Sequence, residues 1–132
     1  MLEIKFEQPF SLHMEVVETD DHVPSMRVET KIIIAQFQNT LSYQGTFWLE
    51  CATWNSFVNA LNDPLQDAVL KDMSDYFVLA IHERDGKMVL SWEFKKADAC
   101  GAKKTAIVFS AEIDDDMLGK IKREFIEFPV WW

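Results

Sequence analysis

The chain has 132 residues, 48% of them apolar and 27% charged, with 13 Lys and Arg against 22 Asp and Glu for a formal net charge of −9. That length suits one α+β domain over 1–132 with a core of its own. The acidic balance repels nucleic-acid phosphates and anionic lipid, which argues against both as targets and favours a basic partner. No predominantly apolar run reaches the roughly 20 residues of a membrane span.

The opening stretch MLEIKFEQPF has neither a basic nor an apolar leader-like segment, so a cytoplasmic location is expected. In that compartment Cys51 and Cys100, which show no CxxC or Cys/His spacing, are expected as free thiols. Leu2, Ile4 and Phe6 alternate with charged residues as a short strand that Pro9 stops. Leu12, Met14 and Val16 repeat the pattern up to the turn-rich segment 19–25. Met26, Val28, Thr30, Ile32 and Ile34 then point one way and Arg27, Glu29 and Lys31 the other. Ile33 interrupts the polar side, which predicts a loop covering that end.

Asn39-Thr40 is the expected turn into a strand carrying Leu41, Tyr43, Gly45, Phe47 and Leu49 on one face. Gly45 inside it suggests a bulge or kink. From Trp54 the period lengthens, and Trp54, Phe57, Val58 and Leu61 predict a helix over about 52–62, capped by Thr53 and ended by Asn62-Asp63-Pro64. Residues 68–70 read as a short strand. Residues 76–84 and 87–96 form a hairpin around Asp85-Gly86. A last strand over 105–113 leads to Asp114-Asp115-Asp116, which open a second helix over about 115–127 with Ile121 and Phe125 on its buried stripe. No internal repeat is visible in the sequence.

Few residues carry chemistry. The Asp114–Asp116 run lacks the alternating ligands, central Gly and closing Glu of a calcium loop, so it reads as a helix cap and no metal is expected. His13, His22 and His82 are scattered without a catalytic spacing, and Ser91 and Ser110 sit in strands rather than in a nucleophile elbow. The 4 glycines form no phosphate loop, so no cofactor is expected. Cys51 stands where the first helix begins. A helix N-terminus lowers a thiol pKa, whereas a buried cysteine is inert. Trp48 falls on the outer face, and Trp131 and Trp132 follow the last helix. These tryptophans either contact a partner or pack as covers.

The strand-to-helix joint from Trp48 to Leu61, W-L-E-x-x-x-W-x-x-F-x-x-A-L, lies between long paired strands and the hairpin at Asp85-Gly86. With the acidic-capped helix that follows, this order over residues 26–127 resembles the WapI-type immunity proteins of bacterial polymorphic toxin systems and related uncharacterised families. The resemblance implies a bacterial inhibitor of a protein partner, and transfers no individual functional residue.

The expected fold is α+β: one strongly curved antiparallel sheet of about six to seven strands, with both helices, about 52–62 and 115–127, packed on one face. The expected function is a non-enzymatic protein-binding domain, in the manner of an immunity-like inhibitor, meeting a basic partner through outward Glu15, Glu29, Glu93 and Glu112 and the aromatics Trp48, Trp131 and Trp132. Two other classes compete. One is a small-molecule binder or enzyme with its site between sheet and helix, near Cys51 or Trp48. The other is a homodimer joined through an edge strand or the terminal tryptophans.

Overall fold

A computed structural model describes residues 2–63 and 65–132. Apolar alternation becomes strand throughout: β1 (Glu3–Phe6), β2 (Ser11–Asp20), β3 (Ser25–Gln36) and β4 (Asn39–Glu50) precede helix α1 (Cys51–Leu61). Then β5 (Ala68–Lys71), β6 (Phe77–Arg84), β7 (Lys87–Ala97) and β8 (Lys104–Ile113) precede helix α2 (Asp115–Ile126). The order of elements therefore repeats although the sequence does not. Phe57 and Leu61 of α1 are buried at the same helix positions as Ile121 and Phe125 of α2.

The strands form two antiparallel sheets, β1-β2-β3-β4 and β5-β6-β7-β8, and not the single sheet of six to seven strands that the alternation suggests. Alternation fixes which side of a strand is apolar, but leaves open which strands pair. One sheet of this width, apolar on one face, would need more cover than two short helices supply, whereas two four-stranded sheets cover one another. Their inner faces meet through aromatic rings. Phe47 of β4 stacks on Phe77 of β6 at 4.4 Å, Tyr43 lies 4.9 Å from Phe94 and 5.3 Å from Trp92, and Phe10 meets Phe109 edge-on at 5.3 Å. The helices close on the same core: α1 lies against β4 and β5, α2 against β1 and α1, with Phe125 set 5.3 Å from Trp54 and 4.8 Å from Phe57.

Local chemistry departs from the sequence reading at four places. The β3–β4 turn is Phe37-Gln38, with φ +53° and +64°, because the register pairs Gln36 with Asn39 and so sets the turn two residues earlier than Asn39-Thr40. Gly45 lies in an unbroken β3–β4 register. It is needed because the Tyr43 ring folds across it, where a Cβ would collide with the Tyr43 hydroxyl, and the sheet's bulge falls instead at Val16/Glu18. Ile33 is 48% exposed, so no loop covers it. Helix α1 begins at Cys51 with Glu50 at the N-cap position and no side-chain cap from Thr53; the Cys51 N–H donates to the Pro24 carbonyl at 2.8 Å. Because the strand runs straight into the helix, Thr53 is already its third residue, and a residue with helical backbone is not placed to be the extended N-cap. The stop assigned to Pro64 lies outside the described residues.

Other expectations hold. Asp85 and Gly86 both have positive φ, as a type I′ turn requires, and Asp114 Oδ1 accepts from the Met117 N–H at 2.8 Å to cap α2. Buried Asp72 organises the β5–β6 turn. Its Oδ1 accepts from the N–H groups of Tyr76 at 2.7 Å and Phe77 at 2.9 Å, and its Oδ2 from Ser74 at 3.4 Å. Asp72→Ala would strand these donors beside the core and should lower stability in urea unfolding by about 3 kcal/mol, with Asp72→Asn losing less.

Candidate functional site

Because the two sheets pack face to face, their outer faces look in opposite directions, and the sequence-predicted contact residues are divided between them. On the first sheet the register lines up Glu3, Glu15 and Glu29 across β1, β2 and β3, and sets Lys5, His13 and Lys31 in the next row. Glu3 and His13 bond at 2.9 Å, and that hydrogen bond, above the weaker attraction of nearby charges, holds the Glu3 carboxyl below its usual value. The Glu15–Glu29 face is therefore striped with both signs rather than uniformly acidic. Trp48 sits half-buried opposite Arg27, which pairs with Glu18 at 3.2 Å, and the Trp48 carbonyl accepts from the Met73 N–H at 2.9 Å.

Glu93 and Glu112 lie on the outer face of the second sheet. Each has its own lysine, Lys95 at 3.7 Å and Lys87 at 3.4 Å. Trp131 and Trp132 fold back as half-buried covers on the core: Trp132 Nε1 donates to Asn55 Oδ1 at 3.1 Å, the two indoles meet edge-on, and buried Phe128 packs 4.7 Å from Trp54. The structure thus brings Glu15, Glu29 and Trp48 to one face, Glu93 and Glu112 to the opposite one, and the terminal pair to α1.

The joint at β4–α1 is architectural. Cys51 is 1% exposed, and burial pushes its thiol pKa up, overriding the helix terminus beside it. His82 faces the Arg84 guanidinium at 3.3 Å rather than a carboxylate, and neither His82 nor Cys51 lines any described cleft together with an acidic group. Among the described residues no group of three or more His, Cys, Asp or Glu is placed to hold a metal ion, and no helix is long and apolar enough to cross a membrane.

The best-formed recess was missed in the sequence. A cleft of about 390 Å³ opens where the C-terminal end of α1, the start of β5, the β6–β7 hairpin and α2 converge. Its floor is apolar, from Leu61, Ala68, Ile81, Met88 and Leu118, and its rim carries Asp63, Asp67, Glu83 and Asp85 against one cation, Lys122. None of these four carboxylates forms an ion pair among the described residues. Asp63 follows a helix, Asp67 precedes a strand and Asp85 sits in a tight turn, so each reads in sequence as turn chemistry. Only the tertiary fold gathers them. Comparison with family models, curated proteins and solved structures gave no match.

Two measurements follow from these environments. With the native protein, a thiol reagent such as Ellman's should modify exposed Cys100 promptly and Cys51 only after unfolding. Burial first, and the negative charge of Asp72 second, push the Tyr43 phenol up to about 12. The folded state thus holds the Tyr43 proton where the unfolded chain has released it, so this contribution to stability is intact below about pH 10 and is lost as pH rises toward 12. The phenolate absorbance difference between wild type and Tyr43→Phe should rise well above pH 10, and the alkaline loss of stability should be smaller in the variant.

Proposed function

We propose that the chain is a non-enzymatic binding domain that engages a basic protein through the acidic cleft, by receiving a lysine or arginine side chain. The cleft itself carries this reading. Its apolar floor suits an aliphatic stem, and the rim of Asp63, Asp67, Glu83 and Asp85 suits the cation at the end of it. Few other residue types match both parts. The formal charge of −9 adds long-range attraction for such a partner and speeds encounter. The wider set of outward carboxylates, Glu15, Glu29, Glu93 and Glu112, contributes to that field rather than to one contact patch. Inhibition of a basic toxin, in the manner of an immunity protein, is the biological role we assign to this binding.

A tri-lysine peptide titrated into isotope-labelled protein should shift the amide resonances of residues around Asp67, Glu83 and Met88 first. The double variant Asp67→Asn/Glu83→Gln should weaken the interaction about fivefold, since each exposed charge contributes on the order of 0.5 kcal/mol, and added salt should weaken it further. Shifts scattered evenly over the surface, or equal binding by the double variant, would overturn the assignment.

A further inference from the structure

The four sheet edges are not treated alike. At one edge of the first sheet, β1 is only 4 residues long and its Lys5 N–H donates to Glu124 Oε1 of α2 at 2.8 Å. In the second sheet, β5 is equally short and has α1 packed along it. The remaining edges are β4 and β8. β8 carries Lys104 at one end and, at the other, Glu112 in its ion pair with Lys87. β4 has such guards only at its far end, where Met73 covers the Trp48 carbonyl and Glu50 closes the strand; from Asn39 to Thr46 it has none. It is 12 residues long, and no residue from Ile32 to Leu49 is charged in a chain that is 27% charged. Long edge strands without charge, proline or cover are what soluble proteins normally avoid, because their open N–H and C=O groups template another strand.

The register fixes which groups are open. A two-residue turn makes Gln36 and Asn39 a hydrogen-bonded pair, so Leu41, Tyr43, Gly45 and Phe47 bond inward to β3. Thr40, Ser42, Gln44, Thr46 and Trp48 then aim their backbone groups outward. The Trp48 carbonyl confirms the phase, since it is taken by Met73 from outside the sheet. The backbone groups of Thr40, Ser42, Gln44 and Thr46 have no partner among the described residues, and all four residues are exposed. The hairpin also runs past β2, whose pairing stops at Ile33, and it ends in Phe37, which is 84% exposed on a left-handed backbone that bulky residues rarely adopt.

The geometry points to self-association through this edge: β4 pairs antiparallel with β4 of a second copy, about a twofold axis at Tyr43. In that register Thr40 faces Thr46 and Ser42 faces Gln44 of the other copy, so every open backbone group finds a partner. A strand with alternating Glu and Lys would meet like charges at some registers; β4 meets none. The first sheet then continues through β4 into its symmetry mate, and the Phe37 tip overhangs the second copy beyond the paired segment. An isologous contact of this kind closes as a dimer and leaves no second β4 edge to propagate it. The narrow contact belongs at the small end of interfaces, with dissociation in the micromolar range.

Sedimentation velocity over a micromolar concentration series should show a monomer–dimer equilibrium for the full chain. Ser42→Pro removes an N–H that the fold itself does not use, and should weaken the dimer at least about tenfold while leaving thermal unfolding of the monomer near its original midpoint. The doubles S42K/Q44K and S42E/Q44E each set like charges opposite one another and should be monomers. Mixed together they should form a heterodimer, which only β4–β4 pairing near this register explains. A wild-type chain that stays monomeric throughout, a dimer that survives both doubles, or one lost instead on Val108→Lys in β8 overturns the inference.

Discussion

Two sheets, each apolar on one side, must hide those sides from water, and the rest of the molecule follows from how they do it. Trp92 marks the plane where they meet. It is fully buried, with Tyr43 at 5.3 Å from the opposite sheet, Phe10 at 6.3 Å from the β1–β2 connection and Phe77 at 6.3 Å from its own sheet. Burying aromatic side chains is worth several kcal/mol apiece relative to truncation, so this layer outweighs any surface pair in the structure. Its demands reach outward. Tyr43 can lean across to Trp92 and Phe94 only because Gly45 leaves room under its ring, and the two helices are needed only where the sheets leave the core open.

The strands were legible in the sequence because a two-residue period is a local signal, and β5, the shortest of the second sheet, was legible with them. The two helices were legible from the apolar spacing of Trp54, Phe57 and Leu61 and of Ile121 and Phe125, and the acidic run announced a cap for α2 at Asp114 or Asp115, of which the structure uses Asp114. The division into sheets was not legible, since Leu49 and Ala68 look alike whether their strands pair or stack. Turn chemistry misled at Phe37-Gln38: Asn39 is the better left-handed residue, but the pairing of Ile32, Ile34 and their neighbours with β4 fixes the register and forces an aromatic residue into the turn. Thr53 failed as a cap for a related reason, because the tertiary contact of Cys51 with Pro24 replaces a local one.

The charge is distributed in a way that net charge conceals. Carboxylates on the sheet faces alternate with lysines or pair with them, so their fields cancel at short range. Those around the cleft come from the end of α1, the start of β5, and the end of β6 with the turn after it, and have no such partners among the described residues. Three of the four lie outside any strand ladder, and the fourth, Glu83, has the uncharged Met88 opposite it, so the like charges gather without facing one another across strands. The candidate site therefore arises where secondary structure stops, which is also where sequence patterns say least.

Among the described residues every ladder joins strands that are neighbours in the chain, and no strand of one sheet pairs with a strand of the other. Each meander can thus zip up by short loop closures, at low entropic cost, before the distant part of the chain is involved. What remains is a docking step, in which Phe10, Tyr43 and Phe47 find Trp92, Phe94 and Phe77 across the gap. The topology accordingly favours local strand pairing before the two layers meet. Until they do, both aromatic faces lie open to solvent.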